Sequence, residues 1–153
     1  MLGKKLVQGV GVLDADYVVK VFETIGYIEG KRKQKLVWKC PFYQTWANML
    51  QRGYGDRYKE RNPTYRDVTV CKDWHLFSNF KNWMETQDWE GKQLDKDIYF
   101  SGNKEYSPNK CVFVSQKVNK FLTERDSTRG MFPIGVCWHR GRNKFYAQCN
   151  AGS

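Results

Sequence analysis

The fold is decided by residues 92–122, "KQLDKDIYFSGNKEYSPNKCVFVSQKVNKFL". Short apolar runs on either side of a polar, turn-rich segment predict two strands around a loop, and the last residues predict a short helix. The stretch is rich in oxygen-bearing side chains of the kind that bind hard metal ions. Within it, Lys96 stands between Asp95 and Asp97.

The composition predicts one globular domain with a small appendage. The chain has 153 residues, of which 41% are hydrophobic and 16% aromatic, enough to bury a core. We expect an α+β protein, with a DNA-contacting region at 1–90, a ββα core at 91–122, and a connector followed by a β-hairpin at 123–153.

The charge balance points to a polyanionic partner. Lys and Arg total 26 against 16 Asp and Glu, which gives a net charge of +10, and such a surplus on a small domain favours nucleic-acid binding. No apolar run approaches the ~18 residues of a membrane span, and none follows Met1 as in a signal peptide. We therefore expect a cytoplasmic protein with no membrane partner and no small-molecule substrate.

The cysteines do not predict a disulfide framework. There are 5, an odd number, at long intervals and without a CxxC pair, which is typical of buried thiols in a reducing compartment. A zinc site that uses Cys40 and Cys71 is the less favoured alternative, because the two close pairs of ligands that such a site needs are missing.

Basic residues cluster at three places. "GKRKQK", residues 30–35, predicts a charged hairpin tip, and "GYGDRYKERNPTYRDV", residues 53–68, predicts an arginine-rich loop with interleaved tyrosines. The third place is the predicted C-terminal hairpin, with strands near 134–139 and 144–149 and a turn at 141–143. The candidate DNA-binding residues are Lys31, Arg32, Lys33, Lys35, Arg52, Tyr54, Arg57, Lys59, Arg61, Arg66, Lys96, Arg140, Arg142 and Lys144.

Two helices are predicted between these clusters. Tyr43, Trp46, Met49 and Leu50 recur at helical spacing, so a helix is expected over 44–52, ended by Gly53. A broad apolar face predicts a second helix over 72–87. That face includes His75, a weak candidate for catalysis.

Four blocks of the chain resemble the phage-borne HNH homing-endonuclease-like proteins. They are "CPFYQTWANMLQRGY", "NPTYRDVTVCKDWHLFSNFKNWM", "LDKDIYFSGNKEYSPNKCVFVSQKVN" and "RGMFPIGVCWHRGRNKFYAQC". The resemblance implies a DNA-contacting region, a ββα-metal nuclease core and the beginning of an AP2-like DNA-binding domain. It also implies a bacterial host cell as the location.

The resemblance gives each polar residue around Lys96 an expected role. Asp95 matches the metal-binding aspartate, Asn103 the central asparagine and Asn119 the residue on the closing helix, whereas Lys96 stands where a catalytic histidine is expected. Lysine has an ordinary pKa of about 10.4, and flanking aspartates favour its charged form. We therefore expect no general base at this position.

Three functions remain open from the sequence. The favoured one is a sequence-specific duplex DNA-binding protein that is derived from a homing endonuclease and has lost its nuclease activity. It acts as a transcriptional repressor by occupying its site, needs no cofactor for binding and can form a homodimer. The second is a Mg²⁺-dependent nicking endonuclease that uses Asp95, Asp97 and Asn119 for the metal, with His75 or His139 as the base. The third is a protein-binding inhibitor; RNA as the partner also stays open.

Overall fold

The computed structural model describes residues 6–122 and 135–147. Its contacts divide the chain into two units, Met1–Lys120 and Phe121–Ser153. The described residues mix helices and strands, so the α+β class is confirmed. The predicted connector at 123–130 lies outside the described residues. So do Ile134 and Cys149, the outer ends of the last two predicted strands.

The first unit begins with an ordered segment and a long hairpin. Residues 6–19 contact the core through backbone hydrogen bonds from Val12 N to His75 O and from Phe77 N to Val12 O. Strands β1 (Lys20–Ile28) and β2 (Lys31–Lys39) then pair antiparallel. The turn between them has two left-handed residues, Glu29 at φ 49° and Gly30 at φ 74°, which is the geometry that matches the twist of a two-residue hairpin.

Three helices follow the hairpin in the first unit. They are α1 (Pro41–Tyr54), α2 (Asp56–Arg61) and α3 (Phe77–Glu85), with β3 (Thr69–Val70) between the second and third. Single 3₁₀ turns at Pro63–Tyr65 and Lys72–His75 complete the path. Pro41 suits the first turn of α1, because proline has no backbone N–H and the N–H at this position has no partner within a helix.

The structure corrects both sequence-predicted helices. The first extends past the predicted end at Gly53, which is buried at the contact with Val70, where an added Cβ would lie 3.1 Å from Cγ2. This glycine is needed for close packing and does not end the helix. The second predicted helix is divided, because Leu76 is extended with ψ 124° and separates the 3₁₀ turn from α3.

Aromatic side chains dominate the core. Trp46, Trp74, Phe77 and Phe80 are at most 1% exposed, and the Trp46 indole donates a 2.7 Å hydrogen bond to the Trp74 carbonyl. Such a bond lets a large ring be buried without an unsatisfied N–H. Gly11 lies against this cluster, since a Cβ there would come 2.3 Å from Leu50 Cδ1.

The strands that follow α3 contribute Leu94, Tyr106 and Phe113 to this core. Strands β4 (Lys92–Asp95) and β6 (Val112–Ser115) pair antiparallel, β5 (Glu105–Tyr106) pairs parallel with β3, and α4 (Gln116–Leu122) follows β6. Phe113 stacks on Trp83 at 5.8 Å. The expected boundary at 90/91 therefore does not separate two cores.

The described part of the second unit is a hairpin. Strands β7 (Val136–His139) and β8 (Lys144–Ala147) pair antiparallel across a 3₁₀ turn at Arg140–Arg142. The Trp138 and Phe145 rings meet edge to face at 4.7 Å across the strands, which stabilises a pairing that is marginal by itself.

Candidate nucleic-acid interface

Two strands and a short helix enclose the loop in which Lys96 lies. β4 ends at Asp95, β6 begins at Val112 and α4 continues directly from it, as the residue pattern predicts. The antiparallel register places Asp95 opposite Val112 and Lys92 opposite Ser115.

Lys96 is buried and acts as the centre of its loop. Its residue is 6% exposed, and its ammonium donates to both carboxylate oxygens of Asp97 at 2.7 Å and to the Asn103 carbonyl at 2.6 Å. All three donor positions of the ammonium are thereby used. Its charge is balanced locally, so the structure does not support the expectation that Lys96 contacts DNA.

Asn103 closes the same loop from the other side. Its amide nitrogen donates to the carbonyls of Lys96 at 2.9 Å and Glu105 at 2.7 Å, and its side-chain oxygen accepts from the Glu105 N–H at 3.1 Å. Lys96 and Asn103 thus hold residues 96–104 from both ends. The asparagine that the resemblance singled out has a structural task in this chain.

The residues expected to hold Mg²⁺ are engaged in hydrogen bonds within the protein, and the magnesium site stays a prediction. Oδ1 of Asp95 accepts from the N–H groups of Asp97 and Ile98 at 2.7 and 3.0 Å, and both oxygens of Asp97 accept from Lys96. The Asn119 amide donates to Gln93 Oε1 at 3.0 Å. Within residues 6–122 and 135–147, His, Cys, Asp and Glu side chains form no group of three or more suited to a metal. Cys40 and Cys71, the residues of the alternative zinc site, therefore belong to no such group in these ranges.

His75 and Tyr54 are tied to each other and to β3. His75 Nε2 lies 2.9 Å from the Tyr54 hydroxyl and 3.2 Å from the Val70 carbonyl, and that hydroxyl accepts from the Val70 N–H at 3.1 Å. These contacts join α1 to β3. Both residues thus support the fold, and the catalysis expected of His75 and the DNA contact expected of Tyr54 stay predictions.

The arginine-rich segment is helical, which corrects the expectation of a loop. Arg57 and Arg61 lie on α2 and Arg66 follows the next 3₁₀ turn, and all three side chains are exposed. None of the ion pairs formed among the described residues involves them. Their guanidinium groups are therefore open to the solvent, in a segment that also exposes Asp56, Glu60 and Asp67.

Lys59 and Arg52 are placed differently from these arginines. Lys59 donates to the carbonyls of Arg66 and Val68 at 3.0 and 3.2 Å, which fixes the segment that carries Arg66. The Arg52 guanidinium lies 3.4 Å from the Tyr106 hydroxyl and lines a polar cleft of about 220 Å³ between α1 and β4. Arg52 thus remains available to an anion that enters this cleft.

The other predicted basic residues are exposed on the two hairpins. Lys31, Arg32, Lys33 and Lys35 lie on β2 next to the turn. Arg140, Arg142 and Lys144 lie at the turn of the second unit. His139 is exposed beside them.

Cys71 and Cys111 are not suited to nucleophilic chemistry. Burial raises the pKa of Cys111 to about 12 and also raises the pKa of Cys71. A thiol with a raised pKa is a poor nucleophile because the thiolate is the reactive form.

None of the helices within the described ranges has the length and apolar character needed to cross a bilayer. No protein-family model matches the chain, and neither a curated protein nor a solved structure shows significant similarity to it.

Proposed function

We propose that this protein binds a specific site on duplex DNA and acts by occupying it, as a transcriptional repressor does. The observation that carries the proposal is the exposed arginine group on and after α2, Arg57, Arg61 and Arg66, which has no acidic partner among the described ion pairs. Exposed guanidinium groups bind phosphate oxygens in a two-pronged geometry. The net charge of +10 adds long-range attraction to a polyanion.

The state of Lys96 supports binding without cleavage. The resemblance to HNH homing-endonuclease-like proteins puts the water-activating base at this position, and a general base typically contributes about 10²–10⁴-fold to a rate. An ammonium held by Asp97 and by the Asn103 carbonyl has no lone pair with which to accept a proton. The aspartates beside it are engaged in the same loop.

The second unit, taken by itself, also presents basic side chains. Its hairpin presents Arg140, Arg142 and Lys144 around a tight turn, and the resemblance of this part to an AP2-like domain supports a role in DNA contact. A palindromic site would indicate that two copies bind together as a dimer.

Binding to duplex DNA of random sequence, measured over a series of salt concentrations, tests the proposal. Because each neutralised phosphate releases counterions, the logarithm of affinity should fall linearly with the logarithm of salt, with a slope of about −0.9 per contact. Five or more contacts predict a slope steeper than about −4. A flat profile with duplex DNA would overturn the proposal and would favour the protein-binding inhibitor.

A further inference from the structure

The hairpin β1–β2 lies almost completely in solvent. Every residue of the two strands is exposed except Lys20, Gly26 and Lys39. Its apolar side chains are no exception, with Phe22 50%, Tyr27 70% and Ile28 56% exposed. A two-stranded ribbon is marginal in water without a surface to pack against, and exposed apolar area of this kind marks an interaction site.

The two faces of the ribbon carry different chemistry. Because side chains alternate along a strand, Lys31, Lys33 and Lys35 share one face of β2, here named the lysine face. Arg32, Gln34 and Leu36 share the opposite face, named the Arg32 face. The register adds Tyr27, Thr24 and Phe22 to the Arg32 face, each opposite one of those three residues.

The charge of the ribbon selects the partner. Residues 20–39 contain six basic and two acidic side chains, a net charge of +4 in 20 residues. Acidic partners complement this charge, and the Arg32 face carries the side-chain types that bind base edges. Arginine pairs with guanine, glutamine with adenine, and threonine or apolar groups with the thymine methyl group.

The dimensions of the ribbon agree with a place in the major groove. Its strands are about 4.8 Å apart, and the groove is about 12 Å wide and 8.5 Å deep, enough for a two-stranded ribbon. Packed sheets lie about 10 Å apart, so a single layer of side chains spans about 5 Å. Side chains that face the bases would therefore hold the backbone of the ribbon about 5 Å above them. The lysines on the outer face then reach the level of the phosphates at the rim.

Two irregularities shape the ribbon for this task. The register shifts between Val21 and Phe22 and between Thr24 and Gly26, and bulges of this kind increase the right-handed twist of a strand pair. A strongly twisted ribbon follows the curved floor of a groove better than a flat one.

We infer that the β1–β2 ribbon enters the major groove of duplex DNA, with the Arg32 face against the base edges and the lysine face at the phosphates. The inference rests on the proposed function, because it names the element that recognises the site. It assigns Thr24 and Gln34, which composition alone does not single out, to base recognition.

The test compares two triple variants that remove the same charge. Lys31→Gln/Lys33→Gln/Lys35→Gln changes the lysine face, and Lys72→Gln/Lys117→Gln/Lys120→Gln removes three exposed lysines elsewhere. Three lost phosphate contacts should lower the salt slope by about 2.7 and the affinity at physiological salt on the order of 100-fold. The affinity of the control variant should fall by less than about tenfold, because only the long-range attraction by the protein's net charge is reduced.

A charge-neutral variant tests base recognition separately. Gln34→Ala should weaken binding to the selected site about tenfold or more, and leave binding to random duplex and the salt slope unchanged. Dimethyl sulfate protection with the unaltered protein gives a second measurement that does not depend on any variant. Protection of guanine N7, in the major groove, is expected, with adenine N3 in the minor groove still reactive.

The outcomes separate the inference from the function on which it rests. If the unaltered protein binds no duplex at any salt, the proposed function is wrong. If it binds duplex but the two triple variants weaken binding equally, or adenine N3 is protected and guanine N7 is not, the ribbon inference alone is wrong.

Discussion

Replacement of Lys96 by methionine tests whether this lysine stabilises its loop or contacts DNA. Methionine occupies the space of the aliphatic stem and removes only the ammonium, which donates to Asp97 and to the Asn103 carbonyl. If Lys96 holds its loop, Lys96→Met should destabilise the protein and leave DNA affinity almost unchanged. If Lys96 contacts phosphate, the reverse should be observed.

The size of the effect follows from the exposure of the two partners. The Asp97 side chain is 46% exposed, so water can rehydrate its carboxylate, and we assign its ion pair at most about 1 kcal/mol. The bond from the charged ammonium to the Asn103 carbonyl adds about 1.5–3 kcal/mol. A loss of about 2–3 kcal/mol in unfolding free energy corresponds to a decrease in Tm of about 4–12 °C for a domain of this size.

Lys92→Met is the matched control, because it removes the same charge from an exposed pair. Lys92 pairs with Asp88 four residues away, and the Asp88 side chain is 83% exposed. Such pairs contribute about 0.3–0.5 kcal/mol, so Tm should fall by less than about 2 °C. Calorimetry gives both Tm values, and amide exchange across residues 97–104 should accelerate in Lys96→Met only.

The opposite pattern would refute this account of the loop. If Lys96→Met keeps the Tm of the unaltered protein and lowers the salt slope of DNA binding by about one, the lysine contacts a phosphate. The loop would then have to open and release the ammonium from Asp97 when DNA binds.

Three further predictions concern the rest of the first unit. Arg57→Glu/Arg61→Glu should weaken duplex binding at least tenfold at physiological salt without a change in Tm, since both side chains are exposed; unchanged affinity would remove α2 from the interface. Gly11→Ala should cost about 1–3 kcal/mol, measured by denaturant unfolding, because its Cβ would lie 2.3 Å from Leu50 Cδ1; equal stability would show that Leu50 moves freely. Burial raises the pKa of Cys111 to about 12, so the folded state favours the neutral thiol. The stability that this gives is present below the ordinary thiol pKa and is lost as pH rises from about 9 towards 12, at up to about 1.4 kcal/mol per pH unit. Cys111→Ala should remove that part of the alkaline decrease in unfolding free energy, and an unchanged pH profile would contradict the assignment.

The pattern of residues was sufficient to predict the α+β class and the strands on either side of Lys96. The apolar runs that become β4 and β6 and the short helix after them are local features, and local periodicity reports them well. The first helix was also predicted, although its end was not. Gly53 has the same sequence signature whether it ends a helix or allows β3 to approach, and only the packing against Val70 distinguishes the two.

The site was harder to predict because it depends on contacts between side chains. Nothing in "LDKD" shows that the Lys96 ammonium turns inward to a carbonyl seven residues away, so a buried lysine was expected to be an exposed one. A charged hairpin tip was predicted at residues 30–35, but the exposure of the whole β1–β2 ribbon was not. The apolar residues of its strands are also typical of a packed strand, and only the absence of packed neighbours makes them exposed.

Selection of bound molecules from a pool of randomised duplex DNA, with and without Mg²⁺, tests the central claim most directly. The recovered strands are sequenced and also separated on a denaturing gel. The account predicts enrichment of one sequence motif with both strands intact under either condition. Strands that are nicked only when Mg²⁺ is present would contradict it, because the protein would then be an endonuclease despite the buried Lys96.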